Sequence, residues 1–223
     1  NFVNAKGNDG AALRWTTSDN VEIFNSNFIN NSAFGNGGAI YIAPASTMTS
    51  TSTISGYNFK IIDSSFINNT AADDGGACYV YGNHGIIDNV IMAGNNCTGD
   101  GGALYVNGTN IIVYNTQFIS NTAGDDGGAI YWMGSSGTIH NITSIDNNGI
   151  SIDKPDGNTS STRGGAICLT GSDVTISGST FTSSSAWMAD GKNQSKVDGG
   201  ALFITGNNVN IIDTTFNDCT ASH

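Results

Sequence analysis

Apolar and polar positions recur along the chain in one pattern, which is anchored on glycine-containing triplets. The first triplet is Gly10-Ala11-Ala12, and Gly-Gly-Ala triplets follow at Gly37, Gly75, Gly101, Gly127, Gly164 and Gly199. The intervals are 27, 38, 26, 26, 37 and 35 residues, so the base period is 26 and the long intervals carry insertions. A fixed period of this length is typical of a repeat architecture in which each copy forms one coil.

Within each copy, apolar residues alternate with other residues as they do in half-buried strands. The first strand has two apolar columns: Leu13, Ile40, Cys78, Leu104, Ile130, Ile167 and Leu202, then Trp15, Ile42, Val80, Val106, Trp132, Leu169 and Ile204. The second strand has Ile23, Ile61, Ile87, Val113, Ile139, Ile176 and Ile211, and the third has Phe28, Phe66, Met92, Phe118, Phe181 and Phe216. The pattern therefore predicts an all-β fold: a right-handed, three-faced parallel β-helix of about seven coils.

Polar columns mark the turns between these strands. One column is Asn25, Asp63, Asn89, Asn115, Asn141 and Asp213, and another is Asn31, Asn69, Asn95, Asn121 and Asn147. Amides stacked on adjacent coils can donate to one neighbour and accept from the next, so we expect a hydrogen-bonded asparagine ladder. The glycine pairs suit tight corners with a positive φ.

The domain prediction is one β-helix segment, residues 1–223, of a longer protein, because the sequence starts and stops inside a repeat. Insertions are expected near residues 44–57, 149–163 and 185–197. The last two leave from the same corner on successive coils, so we expect them to touch.

Charge narrows the classes of partner. The chain has 18 acidic and 7 basic residues, which gives a formal net charge of −11. Without clustered Lys and Arg, binding to nucleic acid or to an anionic membrane surface is not expected. No run of 18 apolar residues occurs, so we expect no membrane-spanning segment. The four cysteines lack metal-site spacing, which leaves small apolar fillers or disulfides as alternatives.

Two signatures of the repeat resemble known families. Gly-Gly-Ala-Ile (Gly37 to Ile40) and Phe-x-x-Asn (Phe28 to Asn31) together resemble the chlamydial polymorphic outer membrane protein repeat. The acidic version rich in Asn and Thr resembles the adhesin-like surface proteins of methanogenic archaea. This resemblance implies an extracellular β-helix at the cell surface that attaches to other cells, surface glycans or surface proteins. It implies no catalytic residues to transfer.

An acidic column precedes the glycines. Its members Asp74, Asp100 and Asp126 recur at one repeat position, and Asp73 and Asp125 lie one residue earlier. Carboxylates about 5 Å apart repel each other by roughly 3 kcal/mol at an effective dielectric constant near 20. Either water screens these five residues, some of them stay protonated, or calcium bridges them. The alternative to a calcium site is that each aspartate caps its own glycine turn. No cofactor is required on this interpretation, and calcium is the candidate ligand.

The candidate binding strip is a column of tyrosines on the outward side of the first strand: Tyr41, Tyr79, Tyr105 and Tyr131. Such a strip suits stacking on sugars or on protein, and the alternative is a ladder that binds nothing. Trp187, in the third insertion, is a second candidate contact because it lies in an apolar pair in an expected surface loop.

We therefore expect a non-catalytic adhesin or interaction segment, with self-association in a surface assembly as a further option. The three histidines fall at different repeat positions, so no catalytic triad is indicated. The alternative function is a structural stalk or surface-filament element. A polysaccharide lyase or hydrolase ranks below both, because an active site should interrupt the repeat.

Overall fold

The computed structural model describes residues 1–16, 20–43, 58–151, 162–188 and 197–222. Its regular structure in these ranges is entirely β, in short strands that stack into four long parallel sheets and one two-stranded sheet. Following one coil from its glycine pair, we number the four long sheets 1 to 4.

Sheets 1 and 2 have seven strands each. The strands of sheet 1 are Leu13–Trp15, Ile40–Ile42, Cys78–Asn83, Leu104–Thr109, Ile130–Trp132, Ile167–Leu169 and Leu202–Ile204. The strands of sheet 2 are Val21–Phe24, Phe59–Ile62, Ile86–Asp88, Ile112–Tyr114, Thr138–His140, Thr175–Ser177 and Asn210–Ile212.

Sheets 3 and 4 have eight strands each. The strands of sheet 3 are Phe2–Val3, Asn27–Ile29, Ser65–Ile67, Ile91–Ala93, Gln117–Ile119, Thr143–Ile145, Thr180–Thr182 and Thr215–Asn217. The strands of sheet 4 are Lys6–Gly7, Ser32–Ala33, Thr70–Ala71, Asn96–Cys97, Thr122–Ala123, Asn148–Ser151, Ser185–Met188 and Thr220–Ser222.

Within each of these sheets, every strand pairs in parallel with the equivalent strands of the neighbouring coils. This arrangement confirms the predicted parallel β-helix. The prediction of three strands per coil was incomplete, because sheet 4 adds a fourth. Most strands of sheet 4 have only two residues, which is too short for an alternating pattern to be visible in the sequence.

The predicted apolar columns form the core. Ile61, Ile87, Val113 and Ile139 are fully buried between the sheets. Aromatic rings stack at both ends of the sheet 3 column, with 4.7 Å between the centroids of Phe28 and Phe66 and 5.2 Å between those of Phe181 and Phe216. In two coils between them, Met92 and Ser144 take the place of the aromatic residue, and both are buried there.

The asparagine ladder is confirmed. All five asparagines from Asn31 to Asn147 in this column are fully buried. The Asn69 side chain donates to Oδ1 of Asn95 at 3.0 Å and to the backbone oxygen of Phe28 at 3.1 Å. Its own Oδ1 accepts both the backbone N–H and the amide of Asn31. Each side chain thereby connects neighbouring coils inside the core.

Each coil that the structure describes without a gap between sheets 1 and 4 turns through four left-handed corners, and this explains why the sequence is so rich in Asn, Asp and Gly. In one coil the corner residues are Gly75, His84, Asn89 and Gly94, with φ of 67°, 57°, 51° and 63°. Asn and Asp adopt this conformation more readily than other residues with a side chain, and Gly adopts it freely. The second glycine of each pair has a different role: a Cβ on Gly76 would lie 2.0 Å from the backbone oxygen of Gly102.

The insertions are described only in part. Residues 44–57 lie outside the described ranges. At the other two sites, the strands Asn148–Ser151 and Ser185–Met188 pair with each other and extend into the expected insertions. Farther along, Thr162–Arg163 pairs with Val197–Asp198 as a separate two-stranded sheet. The described ends of these two segments are therefore hydrogen-bonded to each other.

All four cysteines are free thiols. Cys78 lies in the core, and Cys97 packs in a small cluster with Ala71 and Ala123. This outcome matches the apolar-filler alternative. In the part of the chain that the structure describes, no helix is able to cross a lipid bilayer.

Candidate functional site

The four predicted tyrosines lie in register on the outer side of sheet 1. Their rings stack along the axis of the β-helix, with centroid distances of 5.2, 4.6 and 5.2 Å from Tyr41 to Tyr131. Arg14 continues the column, and its guanidinium lies 5.5 Å from the centre of the Tyr41 ring. We call these four residues the tyrosine strip.

The strip is less open than the sequence suggests. Tyr105 is buried, and its hydroxyl lies 2.9 Å from the sulfur of Met133. The other three tyrosines are half-buried. Burial raises the pKa of Tyr79 and of Tyr131 to about 12, with nearby carboxylates adding to the effect, so these phenols are neutral hydrogen-bonding groups.

Stacking also determines what the strip can offer a ligand. Within the strip the faces of the rings pack against each other, so sugars cannot stack between them. A ligand can therefore approach these stacked rings only at their edges and hydroxyls, which repeat every 4.6 to 5.2 Å. The strip is therefore suited to hydrogen bonding and edge contacts rather than to the stacking that the sequence led us to expect.

The aspartate column forms a second ladder beside the strip. Oδ1 of Asp74 accepts the backbone N–H of Asp100 at 2.9 Å, and Oδ1 of Asp100 accepts that of Asp126 at 3.0 Å. Asn36 fills the same role one coil earlier, with its Oδ1 accepting the backbone N–H of Asp74. One prediction was that each aspartate caps its own glycine turn. In the structure, the backbone N–H groups that Asp74 and Asp100 accept belong instead to the next coil.

Electrostatics vary along this ladder. Burial raises the pKa of Asp100 to about 7, which the hydrogen bond from Asp126 opposes and the neighbouring carboxylates reinforce. Burial also raises the pKa of Asp126, and the guanidinium of Arg163 opposes that shift. Arg163 Nε donates to Oδ2 of Asp126 at 3.0 Å. The ladder thus ends against a cation, and Asp100 lies among acidic groups.

The remaining residues of the calcium prediction are Asp73, which is exposed, and Asp125, which is half-buried. Both lie one residue before the ladder. Among the described residues, no three acidic, histidine or cysteine side chains are grouped to hold a metal ion. Calcium binding at the five aspartates stays a prediction.

Trp187 lies apart from the tyrosine strip. It belongs to the strand Ser185–Met188 of sheet 4, pairs with Ile150, and is 38% exposed. Sequence reasoning missed Phe34, which falls at the same repeat position and is 74% exposed. The signal was available in the alignment of coils, because Phe34 and Trp187 each lie six residues after the aromatic position of sheet 3, at Phe28 and Phe181.

Comparison with known families bears on these coils. The model of the Chlamydia polymorphic membrane protein repeat matches residues 25–43, 63–81 and 115–131. Each match begins at the corner after sheet 2 and runs through the Phe-x-x-Asn segment and the glycine pair into sheet 1. The predicted resemblance to the chlamydial repeat is confirmed, and the chain carries a repeat of surface-associated membrane proteins. No curated protein matches the chain. The resemblance to archaeal surface proteins stays a prediction.

Proposed function

We propose that these coils are a non-catalytic interaction segment of an extracellular adhesin, which attaches its cell to other cells, surface glycans or surface proteins. The observation that carries the proposal is the polymorphic membrane protein repeat at three places along the described coils. The acidic column supports it, because Asp74, Asp100 and Asp126 recur at one repeat position, whereas an active site should interrupt the repeat.

Charge supports a restricted class of partner. The sequence has no Lys or Arg between Lys60 and Lys154, a stretch that includes both members of the Asp73-Asp74 and Asp125-Asp126 pairs. This part of the surface repels polyanions and favours neutral or basic partners. Nucleic acid and acidic polysaccharides are therefore not expected among its ligands.

The test is retention of the labelled chain on whole cells and on immobilised neutral glycans, with and without calcium. Saturable retention without breakdown of the glycan is expected. Loss of retention in chelator would point to the five aspartates of the calcium prediction. Release of sugar fragments would contradict a non-catalytic role, and absence of retention on every surface would contradict adhesion by these coils.

A structural stalk is the second candidate, and the uninterrupted pairing of sheets 1 to 4 from coil to coil favours it. The two functions differ in a direct way. A stalk retains its role when exposed side chains are replaced, provided that its length is kept. An adhesin loses attachment when its binding residues are replaced at constant length.

A further inference from the structure

Sheet 4 carries two rows of side chains along the axis of the β-helix. We call the first the polar row, and it consists of Ser32, Thr70, Asn96, Thr122, Asn148 and Ser185, all in register. Two positions later in each of these six coils is the second row, which holds two aromatic residues: Phe34, Ala72, Thr98, Gly124, Ile150 and Trp187. The strands Lys6–Gly7 and Thr220–Ser222 continue the sheet beyond these six coils. Five steps between coils separate the two aromatic residues, or about 24 Å at roughly 4.8 Å per step.

The two aromatic rings are open to solvent. Phe34 is 74% exposed and Trp187 is 38% exposed. Between them, Ala72 and Thr98 are exposed but small, and Gly124 has no side chain. Gly124 cannot easily be enlarged, because a Cβ there would lie 2.4 Å from the backbone oxygen of Thr98. The result is a low strip of surface from Ala72 to Gly124, with the ring of Phe34 at one end and the paired side chains of Ile150 and Trp187 at the other.

Charge and spacing select the kind of partner that fits this face. Asp73 and Asp125 directly follow Ala72 and Gly124, within the stretch that lacks Lys and Arg, so an acidic polymer is disfavoured. The polar row repeats about every 4.8 Å, whereas an extended polypeptide repeats its same-face side chains about every 6.8 Å. A linear glycan presents one hydroxyl-bearing ring for each step close to the coil spacing. The apolar faces of its rings can stack on aromatic side chains.

Resting on the proposed adhesive function, we propose that sheet 4 binds a linear, non-acidic polysaccharide along the axis. One sugar ring stacks on Phe34 and another on Trp187. The hydroxyls and amides of the polar row, such as those of Thr70, Asn96 and Thr122, bond to the sugar hydroxyls between them. This site is separate from the tyrosine strip, which lies on sheet 1.

The test compares binding of neutral hexasaccharides and disaccharides of glucose, mannose and N-acetylglucosamine by calorimetry. A hexasaccharide can reach both rings and a disaccharide only one, so we expect the matching hexasaccharide to bind about tenfold more tightly. Phe34→Ala and Trp187→Ala should each weaken its binding by roughly threefold to tenfold. The matched control is Phe24→Ala, which removes a 44% exposed ring from sheet 2 and should change nothing.

A second variant keeps both rings. Thr98→Arg places a long side chain at an exposed position midway along the strip and should abolish hexasaccharide binding while the circular dichroism spectrum stays unchanged. Equal affinity for the two lengths of sugar, or equal losses in Phe24→Ala and Phe34→Ala, would overturn the inference. So would unchanged binding in Thr98→Arg.

Retention on whole cells separates this inference from the function on which it rests. If the double variant of Phe34 and Trp187 is retained on cells as well as the native chain, adhesion stands and the sheet 4 site is wrong. If the native chain is retained on cells but binds none of the neutral hexasaccharides, adhesion again stands and the sheet 4 site is again wrong. If the native chain is retained on no surface, both proposals fail.

Discussion

The buried asparagine ladder gives the sharpest prediction about stability. Asn95→Ala removes an acceptor for the backbone N–H and the amide of Asn69, at 2.9 and 3.0 Å. It also removes the donors to the Phe66 carbonyl and to Oδ1 of Asn121, both at 3.0 Å. A buried donor left without a partner costs about 1–3 kcal/mol, and each further bond contributes about 0.5–1.5 kcal/mol. We therefore expect a loss of about 3–6 kcal/mol in the free energy of unfolding.

The assay is urea denaturation followed by both tryptophan fluorescence and far-ultraviolet circular dichroism. Two probes are needed because long repeat arrays can unfold in steps, and coinciding transitions are required before a single free energy is assigned. The matched control is Asn96→Ala, which removes the same kind of side chain from the exposed neighbouring position and should cost less than about 0.5 kcal/mol. A loss below about 1 kcal/mol for Asn95→Ala, or equal losses for the two variants, would refute the reasoning.

Three further predictions concern the corners and the aspartate ladder. The pKa of Asp100 is raised to about 7 in the folded chain, so the folded state binds this proton more tightly than the unfolded state does. The free energy of unfolding should therefore fall by up to about 4 kcal/mol as the pH rises from about 4 to about 7. Asp100→Asn, which copies Asn36 of the same ladder, should flatten that part of a denaturation series across pH; an unchanged slope would contradict it. Arg163→Met leaves the buried Asp126 without its cation and should lower the free energy of unfolding by about 3–5 kcal/mol at pH 8. The loss should be smaller at pH 5, where the carboxyl can take up a proton. Equal losses at both pH values, measured by urea denaturation, would count against this prediction. Gly76→Ala should lower the thermal midpoint by at least about 5 °C, because the new Cβ meets the Gly102 backbone oxygen at 2.0 Å. Thr70→Ala, at an exposed position, should leave the midpoint nearly unchanged. Similar midpoints for the two variants would argue against the clash.

The fold was predictable because its main signals are periodic. Columns such as Phe28 to Phe118 and Asn31 to Asn147 assign residues to strands and corners without any knowledge of distances. Sheet 4 was missed because most of its strands have two residues, and two residues carry no periodicity.

The candidate sites were less predictable, because they depend on packing between coils. The sequence places the tyrosines of the strip on one column, but the burial of Tyr105 depends on what packs over it. Likewise, the residue type and position of Asp100 do not reveal that its carboxylate accepts a hydrogen bond from the backbone of the next coil rather than from its own turn.

The stacking of coils also has a mechanical consequence. Nearly all the hydrogen bonds between coils run along the axis of the rod, so tension applied along that axis loads them directly. Once one coil peels away, about 26 residues extend, which releases roughly 90 Å of chain at about 3.4 Å per residue. The next coil then bears the load as the first one did. A cell tethered through such a rod would meet a pulling force with a series of similar length steps, each of which dissipates work, instead of a single rupture.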